Sequence, residues 1–441
     1  MPVPRTLALL ALPLSLCLPG LAAAQSLQSL YEAARAYDAT YLGARALADS
    51  AQYRTEQALA LKRPSASLSA NADRTQLALP QGYGSGGGNR VGASLNASLP
   101  LFNRASDASI AQARQNQIAA QDDLRTAQQA LIVRVAQAYF DLLAAQDALA
   151  TTRSSQAAIT EQLASAKRNF EVGTATITDT REAQARYDLA TAQALAAENT
   201  VRTSQIALDQ LVGKVGVQPR PLLQPVVLPA TQPADVQSWV MLADSEHPAI
   251  QKAQAALDVA RLETDKARAG HLPTVSLVGS AGATDNRGLE TFGTLQGVTR
   301  TASIGLQLNV PLYSGGAIDN RVRETVALLE KARNDLQAAR RGVEQGTQLA
   351  FYNLQSGLAQ VKALEAARSS SQLALEATQL GYKVGVRVNV DVLNAQAQLF
   401  TTERDLAKAR YDVLMGDLKL RQAAGALGEG DLLAVNRLLA R

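Results

Sequence analysis

Side chains able to do covalent or metal chemistry are scarce. The 441 residues include two histidines, His247 and His271, and a single cysteine, Cys17. A metal centre needs several His, Cys or carboxylate ligands at defined spacing, and His271 has no such companions, so a structural turn residue is expected there. Hydrolytic or transfer chemistry needs a nucleophile, a base and an orienting group, and two isolated histidines supply no persuasive set. The glycine cluster at 84–88 in "PQGYGSGGGNR" lacks the Lys-Ser/Thr and the following apolar helix of a phosphate cradle, and reads as a surface loop. Neither an enzyme nor a bound cofactor or metal is expected.

What does recur is a turn. "FEVGTATITDTREAQARYD" from Phe170 reappears as "YKVGVRVNVDVLNAQAQLF" from Tyr382. Gly173 and Gly385 suit the left-handed residue that ends a helix. The β-branched runs after them make an extended reversal, and Asp179 or Asn389 is expected to cap the returning helix. Asp179 with Glu182 three residues on reads as a capping box, and Asp391 falls in a first helical turn where the helix dipole favours a carboxylate. Arg387, set among valines, is harder to read as a solvated surface charge.

Such turns must join long helices, and the flanking sequence supplies them. Residues 104–172 contain neither proline nor glycine, and residues 320–384 contain no proline. At ~1.5 Å per residue each becomes a rod on the order of 100 Å long. Shorter helices over about 30–62 and 179–213 are each near half a rod, so two stacked end to end match one. Frequent Ala lets helices approach closely, and a helix in a cylinder needs two contact seams.

The whole pattern occurs twice. Residues 25–213 align with 246–425, with "AQAYFDL" facing "TQLAFYNL" and "SLNASLPLFNRASD" facing "IGLQLNVPLYSGGAID". Each half carries a period-two strand pair, 64–102 and 273–313, in which apolar residues such as Val91, Leu95 and Leu99 alternate with Gly92, Asn96 and Ser98. Each segment approaches the ~9–11 residues of a tilted membrane strand. The first repeat then holds a long helix at 104–172 and a helix at 179–213; the second holds a long helix at 320–384 and a helix at 391–425. A Pro-rich insert at 214–245 separates the repeats, and residues 426–441 form a C-terminal segment. Phe102 and Tyr313, each two residues past a proline, suit an interfacial aromatic belt.

Residues 1–24, with Arg5, an apolar run and Ala22-Ala23-Ala24, read as a secretory signal peptide. A lipoprotein signal would require a small residue before Cys17, where Leu16 stands. Beyond it no apolar run nears the ~18 residues of a membrane helix, and a net charge of +4 without a basic block gives no sign of nucleic acid. Four membrane strands leave two open edges, which hydrocarbon does not tolerate, so several chains must share a barrel; about 12 strands, from three chains, leaves room for a lumen. A trimeric coiled-coil adhesin is the alternative, although it would place its strands once and at one end.

The duplication, with "GHLPT", "VPLYSGG", "NFEVGTATITD" and "GYKVGVRVNVDVLNAQ", resembles the TolC family of outer-membrane efflux and type I secretion channels over about Ser26 to Leu433. The resemblance implies an α+β membrane protein: a homotrimeric β-barrel of ~12 strands, four from each chain, continued by a long α-helical barrel. A mixed equatorial domain would take the insert and the C-terminal segment. It implies a location in the outer membrane, in contact with its lipid and projecting into the periplasm. The implied partners are a periplasmic adaptor (membrane-fusion) protein and an inner-membrane ABC, RND or MFS transporter. By motif position it implies that Thr178 and Asp179 on one hairpin tip bond to Tyr382 and Arg387 on the other in the closed state. It also implies that Asp391 forms an acidic ring in the pore. The family's second acidic position is Asn394 here, which implies a weaker cation filter.

Overall fold

The computed structural model describes residues 25–78, 85–288 and 296–440. The expected signal peptide and residues 79–84 and 289–295 lie outside these residues, but the glycine run expected as a surface loop at 84–88 is strand from Ser85 on, where Gly86, Gly87 and Gly88 extend the ladder opposite Leu77, Gln76 and Thr75. The chain runs α1 (Leu27–Tyr37), α2 (Ala39–Leu59), β1 (Ser65–Ala78), β2 (Ser85–Phe102), α3 (Arg104–Glu171) and α4 (Ile177–Val212). It continues with α5 (Val236–Glu246), α6 (Pro248–Arg268), β3 (Thr274–Arg287), β4 (Gly297–Asn309), α7 (Ala317–Lys383), α8 (Asn389–Ala423) and α9 (Glu429–Asn436). The helix expected over 30–62 is broken at Asp38, whose carboxylate accepts from the Tyr41 amide at 2.7 Å and so caps α2.

α3 and α7, of 68 and 67 residues, are the two rods. Each follows a strand pair, so both start at the sheet and end about 100 Å away. α2 and α6 line the sheet-proximal part of α3, while α4 runs back along α3, and α8 along both α7 and α3.

The four strands form one antiparallel sheet in the order β1-β2-β3-β4, leaving β1 and β4 as its edges. Alternation sorts its faces. Ala66, Leu68, Val91, Leu95, Leu277, Ile304, Leu306 and Leu308 share one face by register. On the other, Ser69 and Ser94 hydroxyls meet at 2.8 Å and Ser280 and Ser303 at 2.9 Å. The apolar face is bare, with Leu68 77% and Ile304 80% exposed. The strands, at 13 to 18 residues, exceed the expected length, and β4 stops at Asn309, four residues short of the expected limit at 313.

The main core lies midway along the rods. Leu131, Val135, Tyr139 and Leu142, spaced to share one stripe of α3, are fully buried against α1, α4, α8 and α9. Residues of the insert join it: Val217 is buried there, and the Tyr139 hydroxyl donates to the Arg220 carbonyl at 2.8 Å. Single backbone bridges tie Gln25 to Pro219 and Leu222 to Leu439. Trp239 of α5 anchors a second cluster between α7 and α8 and donates to the Pro233 carbonyl at 2.8 Å.

Candidate functional site

The two repeated turns stand side by side at the end of the rods farthest from the sheet. Gly173 (φ 79°) and Gly385 (φ 82°) both adopt the left-handed conformation. Each ends its helix by the same bonds: the Gly173 amide donates to Phe170 at 3.0 Å and Thr174 to Asn169 at 2.8 Å, while Gly385 donates to Tyr382 at 3.1 Å and Val386 to Gly381 at 2.9 Å.

The caps differ from the sequence expectation. Thr176, not Asp179, is the N-cap of α4. Its hydroxyl accepts from the Asp179 amide at 3.2 Å while the Asp179 carboxylate accepts from the Thr176 amide at 3.0 Å. The capping box is therefore Thr176 with Asp179 rather than Asp179 with Glu182. On the second turn Asn389 is the first helical residue and Val388 holds the cap position, so only the reaching-back half of the motif exists: Asp391 accepts from the Val388 amide at 3.5 Å. Moving the cap of α8 off Asn389 frees that side chain to point elsewhere.

It points at the other hairpin. The Gln162 side-chain amide donates to Asn389 Oδ1. Nearby, Asn169 Nδ2 donates to the Tyr382 hydroxyl at 3.2 Å, and an Arg186 guanidinium nitrogen donates to Asn394 Oδ1 at 2.9 Å. Beneath these three contacts Leu163, Ala166, Ala183 and Leu393 form one small buried cluster from α3, α4 and α8. Within the chain, then, Tyr382 is paired with Asn169 and not with Thr178 or Asp179. Arg387 turns to Asp391, one helical turn on in its own tip, at 3.6 Å. Thr178 is exposed on the first turn of α4 and bonds to neither Tyr382 nor Arg387. Asn394, a lost acid by sequence comparison, serves here as the acceptor for Arg186.

Sequence reasoning missed Gln162, Asn169 and Arg186. A signal existed for the first two, since Gln162, Ala166 and Asn169 recur at four and three residues on the face of α3 that carries Leu163. At the sheet end, Phe102 closes β2 half-exposed, and Tyr313 lies past β4, 91% exposed. His271 does acquire an acidic neighbour, Asp319, at 3.3 Å. Among the described residues no cluster of His, Cys, Asp or Glu could hold a metal ion, and no helix is long and apolar enough to cross a membrane.

Tandem hairpins on paired rods, hung from a four-stranded sheet with a bare apolar face, can be compared with known proteins. The family model "Outer membrane efflux protein" matches residues 30–214 and 239–426. The chain belongs to the outer membrane efflux protein family. It is 32% identical over 415 residues to the outer membrane protein TolC of Vibrio cholerae, covering 94% of this chain and 93% of that one. It is 34% identical over 310 residues to the alkaline protease secretion protein AprF of Pseudomonas aeruginosa, covering 70% and 64%. Among solved structures, the outer membrane protein VceC of Vibrio cholerae superposes with a TM-score of 0.76 at 20% identity, over 90% of this chain and 96% of that one. This efflux protein is thus an outer-membrane channel of the TolC kind, in a family of transport proteins rather than enzymes.

Proposed function

We propose that three copies of this efflux protein close into one tunnel. The tunnel would carry drugs, small toxic molecules or secreted proteins from the periplasm to the outside. One observation carries the reading: the sheet ends in two unpaired edges, β1 and β4, beneath a bare apolar face. In hydrocarbon every strand amide and carbonyl needs a partner, so β4 of one chain must meet β1 of the next. The accessible surface of the single chain supports the same conclusion. It is 27230 Å², against roughly 16,000 Å² for a compact monomer of 46.6 kDa. Phe102 and Tyr313 would stand at the periplasmic boundary of the outer membrane.

The helical hairpins would close the far end. In the resting state the Asn169–Tyr382, Gln162–Asn389 and Arg186–Asn394 contacts hold the two hairpins of one chain together, and opening separates them. Thr178, Asp179 and Arg387, which find no partner on the opposite tip of their own chain, are left for the neighbouring subunit. Asp391 from three chains would gather near the axis and favour cations. A groove between α3, α4 and α8 is lined by Thr151, Ser155, Arg186, Phe400 and Arg404. It suits a periplasmic adaptor that links the tunnel to an inner-membrane ABC, RND or MFS transporter, which would set the choice of cargo.

Detergent extraction of the outer-membrane fraction, mass measurement and planar-bilayer recording test the core of this reading. A trimer that conducts is expected. A soluble monomer, or an assembly without conductance, would overturn it.

A further inference from the structure

The bare face of the sheet is not apolar throughout. Register aligns Arg74 with Asn89 and Asn89 with Arg287, so both arginines lie in one transverse row at the loop end. Arg300 lies opposite Ala283 on the same face. Side chains alternate between faces at every residue, so all three arginines share the face of Leu68, Leu95 and Ile304, which a barrel turns toward lipid.

At ~3.3 Å per residue and a tilt near 40°, the rows from Val275 to Asp285 span about 25 Å, the height of a membrane band. The Arg74 and Arg287 row therefore stands at the level of the outer headgroups. Arg300 lies about 10 Å below that row, where a long side chain reaches up while its stem lies along apolar neighbours.

The two ends of the sheet treat their cations differently. Near the helices each is neutralised by the chain itself: Lys62 and Arg104 meet Asp107, Arg63 meets Glu56 at 3.3 Å, and Arg268 meets Asp265 at 3.7 Å. At the loop end Arg74 and Arg300 have no carboxylate within ion-pair distance among the described residues. Arg287 is paired with Asp285, two residues away on the same face, at 2.8 Å, but its side chain is 80% exposed and part of its guanidinium stays open to a phosphate. An unpaired guanidinium facing lipid is costly unless an anion meets it, and its fork matches phosphate.

We propose that this end of the lipid-facing surface binds a phosphorylated lipid of the outer leaflet, the phosphates held by Arg74, Arg287 and Arg300. The proposal rests on the reading of the sheet as part of a membrane barrel. Each arginine near a charged lipid surface is worth about five-fold in affinity, so the two unpaired ones, Arg74 and Arg300, already give a preference above ten-fold for a phosphorylated lipid.

The test uses the purified full-length assembly in nanodiscs and measures binding of diphosphoryl lipid A against the same lipid stripped of phosphate. The wild type is expected to prefer the phosphorylated form by at least about ten-fold. The variant carrying Arg74→Gln, Arg287→Gln and Arg300→Gln is expected to lose that preference. Equal wild-type affinities overturn the proposal without recourse to any variant, as does a preference that survives the triple substitution. Displacement of lipid A by millimolar inorganic phosphate also overturns it, because the surface would then be a free-phosphate site. Conductance is recorded from the same purified protein in planar bilayers: its absence refutes the barrel, whereas conductance with equal lipid affinities refutes only the lipid site.

Discussion

The contacts between the two hairpins of one chain make a quantitative test of gating possible. Tyr382→Phe removes the oxygen that accepts from Asn169, and Asn394→Ala removes the one that accepts from Arg186. The first is a half-buried bond between neutral groups, worth about 1 kcal/mol net. The second has a charged donor but lies in contact with water, which reduces it to about 1 kcal/mol as well. Neither change strands a buried polar group, because Asn169 and Arg186 can both turn to solvent. The loss is then about 2 kcal/mol per chain and about 6 kcal/mol in a trimer whose tips open together. Converting a two-state balance from 1:99 to 99:1 takes about 5.5 kcal/mol, so the double variant should rest mostly open. Single-channel recording is expected to show a raised resting conductance, while trimer abundance and heat stability stay near wild type because the main core lies far from the tips. Wild-type conductance from intact trimers of the double variant would refute the assignment of these bonds to closure.

Asp391→Ala is expected to weaken block of the channel by multivalent cations, since three carboxylates near one axis repel each other until a cation binds; block as strong as wild type would place the ring elsewhere. Half-buried Asp147 accepts from the Tyr411 hydroxyl at 2.7 Å, and its carboxyl is pushed above the usual carboxylate value by partial burial, an effect that the hydrogen bond partly offsets. The folded state therefore holds this proton more tightly than the unfolded chain. Stability should fall as pH rises from near 4 through the raised value, and Asp147→Asn should flatten that slope in unfolding measurements across pH 4 to 7. A slope unchanged in the variant would show that other groups set it. Gly425 has φ 74°, and a Cβ there would stand 2.5 Å from the His247 Cα. Gly425→Ala should cost about 2 kcal/mol or more and lower the dissociation temperature of the assembly, which heating followed by gel electrophoresis reads directly.

The sequence alone determined the repeat, the rods, the alternating cores of the strands and the ends of the rods, while the strand ends, such as the extension of β2 back to Ser85, were set by cross-strand pairing. The features legible in the sequence depend on near neighbours: alternation at period two places Leu95 and Asn96 on opposite faces whatever lies around them, and a glycine after a long helix takes a left-handed turn because a Cβ is disfavoured there. The same local character explains why the family was legible from short motifs such as "NFEVGTATITD". Caps were less legible, because Thr176 and Asp179 are both able to cap and the choice turned on a shift of three residues in where α4 begins. Tertiary structure alone decided the cross-hairpin contacts. Whether Asn169 meets Tyr382, and whether Arg186 meets Asn394, depends on how far α8 slides along α3 and how each helix rotates about its own axis. That rotation is set by the packing of Leu163, Ala166, Ala183 and Leu393 beneath them. A periodic sequence allows several such registers with similar local patterns. Side-chain volumes from three helices, more than 200 residues apart along the chain from Gln162 to Asn389, select one of them.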